Sequence, residues 1–322
     1  MQKRFGAVSL LTIIPAGAYL LLVIRPQLAA EAALAGLETS LHSVVPSLFP
    51  FLVLTRLLMR TDMPAFLLRF PGALFERVFH IRRTALPAFL LGLVGGCPVG
   101  AEAAAEAARR GDCSQEEAGR LLVFADNCSI GFLFGVLCTQ TLHSTKDALI
   151  LLLLQWGISV WLGWVMGIGK LPSPMPPGSS RKEKLPIVQL FTSSILEGGR
   201  SALLVCAYVV FFSAIGAFLP AFPFLRGLLE MTGGILALEG GDPLLPAAFL
   251  LGWGGAAVGF QVLTAAADTG IPTGAYFPLR LLHATFMLFS AWSIRQGSFF
   301  LLLPPAAGAA IAICVKKSRK PS

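Results

Sequence analysis

Residues 86 to 96 read LPAFLLGLVGG, and residues 245 to 255 read LPAAFLLGWGG. Both stretches run from a Leu-Pro pair through an apolar segment to a Gly-Gly pair, and both contain the pentamer AFLLG. Glycine pairs interrupt a helix, and a broken helix in lipid is tolerated only where protein or water covers its unpaired backbone groups. The duplicated segment therefore predicts two broken helices buried inside a membrane protein.

The composition indicates a chain that crosses a membrane several times. Of its 322 residues, 55% are hydrophobic and only 13% are charged, whereas soluble domains carry about 25% charged residues. A membrane-spanning helix needs roughly 20 apolar residues. Uncharged runs of comparable length cover residues 5 to 24, 39 to 55, 84 to 101, 127 to 145, 148 to 169, 201 to 225, 243 to 267 and 296 to 315. We therefore predict an all-α polytopic membrane protein whose first run is a retained membrane helix.

Several classes of protein fit this sequence poorly. The chain has a net charge of +8, and basic cytoplasmic loops commonly give membrane proteins such an excess. The charge is therefore no sign of nucleic-acid binding, and we expect no nucleic-acid partner. The six cysteines form no CxxC pair and have no His at metal spacing, so we expect no metal and no cofactor. The sequence lacks an ATP-binding GxxxxGK[ST] loop, and its GGD at residues 240 to 242 has no second Asp motif, so we expect no enzymatic activity.

A linker rich in Pro, Ser and Lys divides the chain. It reads KLPSPMPPGSSRKEKLP and cannot be helical throughout. The half on either side contains one copy of the duplicated segment. We predict an N-terminal membrane helix and connection at residues 1 to 37, a first repeat at 38 to 169, a cytoplasmic linker at 170 to 186, a second repeat at 187 to 294, and a C-terminal helix with a basic tail at 295 to 322.

The two copies are predicted to have opposite orientations in the membrane. Three apolar crossings separate them, at residues 121 to 142, 148 to 169 and 201 to 219, and an odd number inverts the second copy. The approach to the first copy is rich in Arg, which is typical of cytoplasmic loops, while the approach to the second is acidic. We therefore expect an inverted repeat with re-entrant helical hairpins at residues 84 to 101 and 243 to 267. The side of the C-terminus stays open, since two further crossings would place the basic tail outside.

Polar groups inside the apolar runs indicate a substrate site, because ionisable residues in membrane spans are costly. The segment FADNCSIGFLFG carries Asp126, Asn127 and Ser129. The segment AYFPLRLLHATFMLF carries Arg280 and His283 on one helical face. Arg280 is suited to a bidentate carboxylate clamp, and the N-termini of broken helices would offer free N–H groups to an anion. The candidate substrate-binding residues are Gly95, Gly96, Pro98, Gly100, Asn127, Ser129, Gly254, Gly255, Gln261, Arg280 and His283.

Each of these charged groups also has a purely structural interpretation. Asp126 could pair with Arg120 at the membrane edge, and Arg280 could extend to the interface along its aliphatic stem. Glu230 and Thr232, in LLEMTGG, could couple transport to protons, but Glu230 is equally compatible with exposure outside the membrane. Asp126, Glu230 and Thr232 are therefore candidate coupling residues, with both interpretations open.

Together these motifs resemble the nucleoside-recognition, or gate, domain of the YlbJ (SpoVV) family of sporulation membrane proteins. The first half is similar to the family's G-x-P-x-G-A element, its charged E-A-x-R-L turn and its F-x-N-x-S/C element, through GLVGGCPVGAEAAAEAARRGDCSQEEAGRLLVFADNCS. The second half is similar through GLLEMTGG, GWGGAAVGFQ and YFPLRLLHA, and the resemblance covers most of residues 38 to 290. Cys97 and Asp126 depart from the family's commonest pattern.

The resemblance implies a relative of the concentrative nucleoside transporters that acts during endospore formation. Its implied role is to move dipicolinate from the mother cell across the outer forespore membrane. The family's motif positions in this chain are Gly96, Pro98, Gly100, Asn127, Ser129, Glu230, Thr232, Gly255, Gln261, Arg280 and His283. Self-association and contacts with other sporulation membrane proteins stay open.

The residues and the resemblance together favour a secondary transporter of a small organic anion, since a planar dicarboxylate suits an arginine clamp. A nucleoside transporter is the alternative, but a neutral substrate would not need Arg280. A spore-envelope assembly factor without transport is a third hypothesis. It is disfavoured because a scaffold has no reason to bear the desolvation cost of the polar clusters.

Overall fold

The structure is a computed structural model that describes residues 2 to 61, 72 to 174, 186 to 238 and 241 to 298. Most of the predicted linker and nearly all of the predicted C-terminal helix lie outside the described residues. The described parts contain helices and turns and no strand. The helices are α1 Gln2–Ile24, α2 Pro26–Thr39, α3 Val45–Arg60, α4 Gly72–Phe79, α5 Leu86–Gly95, α6 Val99–Arg109, α7 Gln115–Phe124, α8 Ile130–Leu142, α9 Thr145–Gly167, α10 Ile187–Gly216, α11 Pro223–Gly227, α12 Met231–Leu236, α13 Leu244–Trp253, α14 Gly255–Ala266 and α15 Tyr276–Arg295.

Among the described residues, four helical segments are long and apolar enough to cross a membrane. They are Pro26–Arg60, Thr145–Gly167, Ile187–Gly216 and Leu244–Ala266. A fifth results if α4 is counted together with Arg83–Gly95, although the two pieces bend by 107°. An all-helical chain with four to five candidate spans is what the composition predicts for a polytopic membrane protein.

The first copy of the duplicated segment forms one arm of a tight helix pair. Helices α5 and α6 fold back on each other so closely that a Cβ atom on Gly92 would lie 2.9 Å from the Cα atom of Gly100. The turn between them needs glycine at Gly96, where φ is 74° and a Cβ atom would lie 2.3 Å from the Ser129 backbone nitrogen. At the hairpin predicted for residues 84 to 101, α5 and α6 therefore lie against each other at a glycine contact.

The second copy behaves differently from the prediction. Leu244–Ala266 qualifies as a single span of 23 residues, broken locally at Gly254 and Gly255, where φ is 84° and 78°. The expected hairpin at residues 243 to 267 is therefore wrong. The tight helix pair of this half is instead α11 with α12, where a Cβ atom on Gly234 would lie 2.2 Å from the Cα atom of Gly227. A paired glycine is compatible with either arrangement, since glycine permits both a sharp turn and a local helix break.

The expected crossing at residues 121 to 142 is also broken, between Phe124 and Ile130. The polar side chains in the break form local bonds that end one helix and begin the next. Asn127 Nδ2 donates to the Phe124 carbonyl at 3.1 Å, and Ser129 Oγ accepts from the Phe132 N–H at 3.0 Å as the N-cap of α8. Asn and Ser favour such bonds over continued helix, so the break follows from the residue types.

Charged contacts define two opposite ends of the bundle. One end, called the basic end here, carries Arg60, Arg82, Arg110, Arg120 and Lys170. At this end Gln115 Nε2 of α7 donates to the Thr269 carbonyl, in the loop before α15, at 2.9 Å. At the opposite end, Arg295 contacts Asp147 at 2.9 Å and Asp242 at 2.7 Å. The hydrogen bond from Arg295 holds the pKa of the Asp242 carboxyl below its usual range. The α5–α6 pair starts and finishes at the basic end, whereas the α11–α12 pair follows the end of α10 and precedes Asp242.

Two packing units make up the interior. The larger one joins α4 to α9 with α12 to α15 and includes stacked Phe79 and Phe124, whose ring centroids lie 5.1 Å apart. The smaller one joins α3, the residue before it and the start of α6 to α10, through Val44, Leu48, Leu52, Val99, Ala202, Val205 and Val209. A cavity between these two units brings the polar residues of the broken helices together.

Candidate functional site

The central cavity lies where the broken helices, the tips of the two helix pairs and the smaller packing unit meet. Its volume is about 70 Å³. One wall is apolar and consists of Val44, Leu48, Val205 and Val209, which also belong to the smaller packing unit. The polar lining comprises Ser47, Cys97, Asp126, Asn127, Ser129, Glu230, Thr232, Gln261 and Arg280.

Arg280 connects the two broken helices. Its Nη1 donates to the Asp126 carbonyl at 2.7 Å, and its Nη2 donates to the Leu251 carbonyl at 3.3 Å. These carbonyls lie at the C-terminal ends of α7 and α13, where the helix dipole favours a cation. The side chain is only 2% exposed, so the alternative that Arg280 extends to the membrane interface is wrong. Its buried Nε has no hydrogen-bond partner among the described residues and remains available to a ligand.

Asp126 is fully buried and belongs to the same cluster. Its Oδ2 accepts a hydrogen bond from the Tyr276 hydroxyl at 2.6 Å, while its buried Oδ1 has no partner within the described part of the chain. Arg120 points elsewhere and donates to the carbonyls of Phe79 and His80. The proposed pairing of Asp126 with Arg120 at the membrane edge is therefore wrong, and Asp126 presents an unpaired oxygen in the interior.

Asn127 holds the first helix pair against the first break. Its backbone carbonyl accepts from the Cys97 N–H at 2.7 Å, which ties the tip of the α5–α6 pair to the break. Its Oδ1 accepts from Ser159 Oγ of α9 at 2.7 Å. With Nδ2 bound to Phe124, the Asn127 side chain has a protein partner for its oxygen and one for its nitrogen. The amide is thereby held in one orientation at the wall of the cavity.

Glu230 occupies the tip of the second helix pair and is 5% exposed, so it lies inside the protein. Its two carboxylate oxygens accept from the N–H groups of Thr232 and Gly233 at 2.8 and 2.6 Å, as the N-cap of α12. A carboxylate at a helix N-terminus is stabilised by the helix dipole and by these donors. The Glu230 carboxylate therefore occupies the N-terminus of α12.

The N-termini of α8 and α14 also have acceptors from within the chain. The N–H groups of Ala256 and Ala257, at the start of α14, donate to the carbonyls of Leu228 and Leu229 at 3.0 and 2.9 Å. Ser129 caps α8. At the starts of α8 and α14, therefore, the chain itself supplies acceptors for N–H groups that were predicted to be free for the substrate.

The cavity brings together eight of the residues selected from the sequence: Asp126, Asn127, Ser129, Glu230, Thr232, Gly254, Gln261 and Arg280. The others stand behind the lining. Gly96 forms the turn of the first pair, Gly100 packs against the Ala125 carbonyl, and Gly255 approaches the α11–α12 tip. His283 is fully buried, with Nδ1 at 3.2 Å from the Gly252 carbonyl. Gly95 and Pro98 flank the turn beside Gly96, and these residues shape the site without facing the cavity.

Sequence reasoning missed three contributors. Tyr276 binds Asp126, and its spacing of four residues before Arg280 places both on one helical face, which was an available signal. Ser159 orients Asn127 from α9, and Cys97 lines the cavity with its Sγ at 4.0 Å from Gln261 Oε1. Neither contact has a local sequence pattern, because the partners lie 32 and 164 residues away. In the described part of the chain, no three His, Cys, Asp or Glu side chains are placed to hold a metal ion.

Three cavities lie in a row along α2–α3 and α10. The wide cavity at the basic end has a volume of about 530 Å³, and a third cavity, near the opposite end, has about 240 Å³. The wide cavity is lined by residues 55 to 60 of α3 and 197 to 204 of α10. The central cavity is lined by residues 44 to 48 and 205 to 209. The third cavity is lined by residues 32 to 39 of α2 and 212 to 216 of α10. At 1.5 Å per residue, α10 advances about 28 Å over this stretch, close to the roughly 30 Å of a bilayer's hydrocarbon core.

Comparison with known proteins gives one informative similarity. No protein-family model and no solved structure matches the chain. The chain is 24% identical to the sporulation integral membrane protein YlbJ of Bacillus subtilis (strain 168), over an alignment that covers 81% of this chain and 76% of that protein. Together with the four candidate spans, this similarity to a sporulation integral membrane protein supports a multi-pass integral membrane protein.

Proposed function

We propose that the chain is a secondary transporter that moves a small organic anion, dipicolinate, across the outer forespore membrane during endospore formation. The observation that carries this proposal is the row of three cavities along two antiparallel helical segments, with buried polar groups in the middle one. Such a row is the arrangement that a transport path requires. The sporulation assignment rests on the name of the similar B. subtilis protein.

The path is proposed to pass between two inverted halves. Each half contains a tight helix pair, α5–α6 or α11–α12, followed by a broken helix, α7–α8 or α13–α14. The pairs approach the central cavity from opposite ends of the bundle, which supports an inverted repeat of the kind that brackets transporter sites. The basic end is proposed to face the cytoplasm of the mother cell, because positive residues concentrate on the cytoplasmic side of membrane proteins.

The central cavity has to widen when substrate binds. Its 70 Å³ is well below the roughly 300 Å³ at which sites for small molecules begin. The tips of the two helix pairs are the parts best placed to move, since they are short and are held at the cavity by a few backbone hydrogen bonds. The structure is therefore consistent with an occluded state that admits substrate after one tip withdraws.

Arg280 is proposed to bind a substrate carboxylate in that wider cavity. Two of its N–H donors are bound to backbone carbonyls, but its buried Nε is free. Asn127, Ser129 and Gln261 supply neutral hydrogen-bonding groups beside it. Asp126 and Glu230 are proposed to bind a cation that is transported together with the anion. Without that cation, the two carboxylates would repel the anionic substrate in a poorly solvated site.

Uptake of dipicolinate into liposomes containing the purified protein tests this proposal. Arg280→Ala should abolish uptake, because it removes the charge-assisted hydrogen bonds to the carboxylate. Arg295→Gln, which removes the same charge at the opposite end, should leave uptake near the wild-type rate. Uptake by Arg280→Ala at the wild-type rate would refute the role of Arg280, and no uptake by the wild-type protein would refute transport of dipicolinate.

The charges of the cavity favour a nucleoside as the second candidate substrate. Asp126 and Glu230 together outnumber Arg280 by one formal charge, so a neutral substrate avoids the repulsion that an anion meets. The same liposomes supplied with uridine distinguish the candidates. If the liposomes take up uridine but not dipicolinate, nucleoside transport replaces the first proposal. If the intact protein binds neither compound, the hypothesis of a spore-envelope assembly factor is favoured.

A further inference from the structure

We propose that the wide cavity at the basic end is a second carboxylate-binding site, in which the Glu197 side chain occupies the place of a substrate carboxylate. The inference rests on the proposed transport of an organic anion and names the site where that anion first binds. It is built on Arg56 and Arg60, one helical turn apart on α3. It is separate from the central cavity and from Arg280.

The two arginines grip one carboxylate between them. Arg60 Nη2 lies 2.9 Å from both oxygens of Glu197, and Arg56 Nη1 lies 2.9 Å from Glu197 Oε2. Planar guanidinium groups facing a carboxylate give the geometry in which arginine binds carboxylate ligands. The arrangement shows that these side chains, in these positions, form a carboxylate site.

The cavity around the pair has the size and charge for a small dicarboxylate. Its volume of about 530 Å³ lies in the range of roughly 300 to 1,000 Å³ that is typical of small-molecule sites. Five arginines line it against four acidic side chains, namely Arg56, Arg60, Arg109, Arg110 and Arg200 against Glu102, Glu106, Glu197 and Asp268. If the Glu197 carboxylate were displaced, Arg56 and Arg60 would be free to bind another carboxylate in the wide cavity, whose lining carries one more basic than acidic side chain.

The Glu197 contact is of a kind that can exchange. The side chains of Arg60 and Glu197 are 28% and 38% exposed, so water screens their attraction and the pair contributes little to stability. The nearby pair of Arg82 and Glu117 is different, because those side chains are 9% and 1% exposed and an unpaired partner would be left buried. An incoming carboxylate can therefore replace Glu197 without disturbing the fold.

Replacement of Glu197 by a substrate carboxylate would also change the contacts of the first helix pair, α5–α6. Arg56 Nη2 also contacts Glu102 Oε2 of α6 at 2.6 Å, and Ser201 of α10 bonds to both side chains. Glu102 lies one turn after the tip that is tied to Asn127. When Arg56 turns to a substrate carboxylate, Glu102 of α6 loses its ion pair with α3 and keeps only its bond to Ser201 of α10. The contacts that hold α6 near the tip of the pair are thereby reduced from two neighbouring helices to one.

Dipicolinate binding to the full-length protein in detergent, measured by titration calorimetry, tests the second site. The experiment uses an Arg280→Ala background, so that the central site does not contribute. Binding should persist there. Adding Arg60→Gln should weaken it roughly tenfold, as expected for the loss of about one charge-assisted hydrogen bond. Adding Glu197→Gln should strengthen it severalfold, because the neutral amide no longer competes for Arg56 and Arg60.

Control variants make the outcome decisive. Arg295→Gln changes the net charge equally at the opposite end and should leave the affinity unchanged. Arg60→Lys keeps the charge but not the planar fork and should bind more weakly than the parent, which supports the site if Arg60→Gln fails to fold. Unchanged or weaker binding in Glu197→Gln would show that the ion pairs are structural only and would overturn the inference. That result leaves liposome uptake by the wild-type protein unaffected, so the two proposals fail separately.

Discussion

At the scale of single residues, the site depends on side chains that bind backbone exposed by helix breaks. Arg280 reaches the carbonyls of Asp126 and Leu251, and Glu230 binds the N–H groups of Thr232 and Gly233. A broken helix inside a membrane needs such partners, since no water is present in lipid to satisfy the freed groups. The charged residues that are proposed to act in transport therefore also hold the scaffold together.

The bond between Ser159 and Asn127 gives a test at this scale. Ser159→Ala leaves the buried Oδ1 of Asn127 without its partner, and we expect a loss of about 1–3 kcal/mol in the free energy of unfolding. Thermal unfolding of the purified protein in detergent measures the effect. Thr285→Ala removes a similar hydroxyl that is exposed and bonds only within its own helix, so it should have little effect. Equal stabilities for the two variants would contradict the role of this bond.

At the scale of elements, glycine contacts decide which helices can fold back on each other. In both tight pairs the backbones approach more closely than a Cβ atom allows, at Gly92 with Gly100 and at Gly227 with Gly234. The sequence signal for the first pair was the Gly-Gly of the duplicated segment. In the second half the same signal marks a break within a span, because α13 packs along α15 and continues into α14 instead of turning back.

Gly234→Ala tests the second pair. Its Cβ atom would lie 2.2 Å from the Cα atom of Gly227, so the two backbones must separate, and we expect a destabilisation of at least about 1–3 kcal/mol. Gly157→Ala is the matched control, because its Cβ atom has no heavy atom within 4 Å and alanine favours helix by roughly 0.5–1 kcal/mol. Comparison of the two melting temperatures in detergent separates them. A Gly234→Ala protein as stable as Gly157→Ala would contradict the close pairing of α11 and α12.

At the scale of the whole molecule, three cavities lie in a row along α10, and the two ends of that row differ in charge. The basic end concentrates arginine around the wide cavity, while Asp147, Asp242 and Arg295 form a smaller cluster at the opposite end. The ion pairs of the described residues agree on this division. The path proposed along α10 would therefore connect two chemically distinct surfaces.

Labelling from each side of the membrane tests the path. In a background without native cysteines, Asp268→Cys places a thiol at the wide cavity and Ala221→Cys places one at the third cavity. A membrane-impermeant maleimide should modify the two from opposite sides of sealed vesicles. Modification of both thiols from the same side would show that the cavities do not form a transmembrane row.

The sequence by itself determined where the apolar runs lie, that the chain is helical and suited to a membrane, and which polar residues interrupt those runs, while it left open whether Asp126, Glu230 and Arg280 are buried. Hydropathy and residue type are local properties, and the cost of burying a charge in lipid leaves few functions for Asp126, Asn127 and Arg280. Only the tertiary structure decided which glycine-containing segment turns back, which carbonyls Arg280 binds and that Ser159 and Tyr276 complete the cluster. These features depend on contacts between helices that are distant in sequence. In a membrane the sequence does not reveal which apolar face contacts another helix and which faces lipid, because lipid is as apolar as the packed interior.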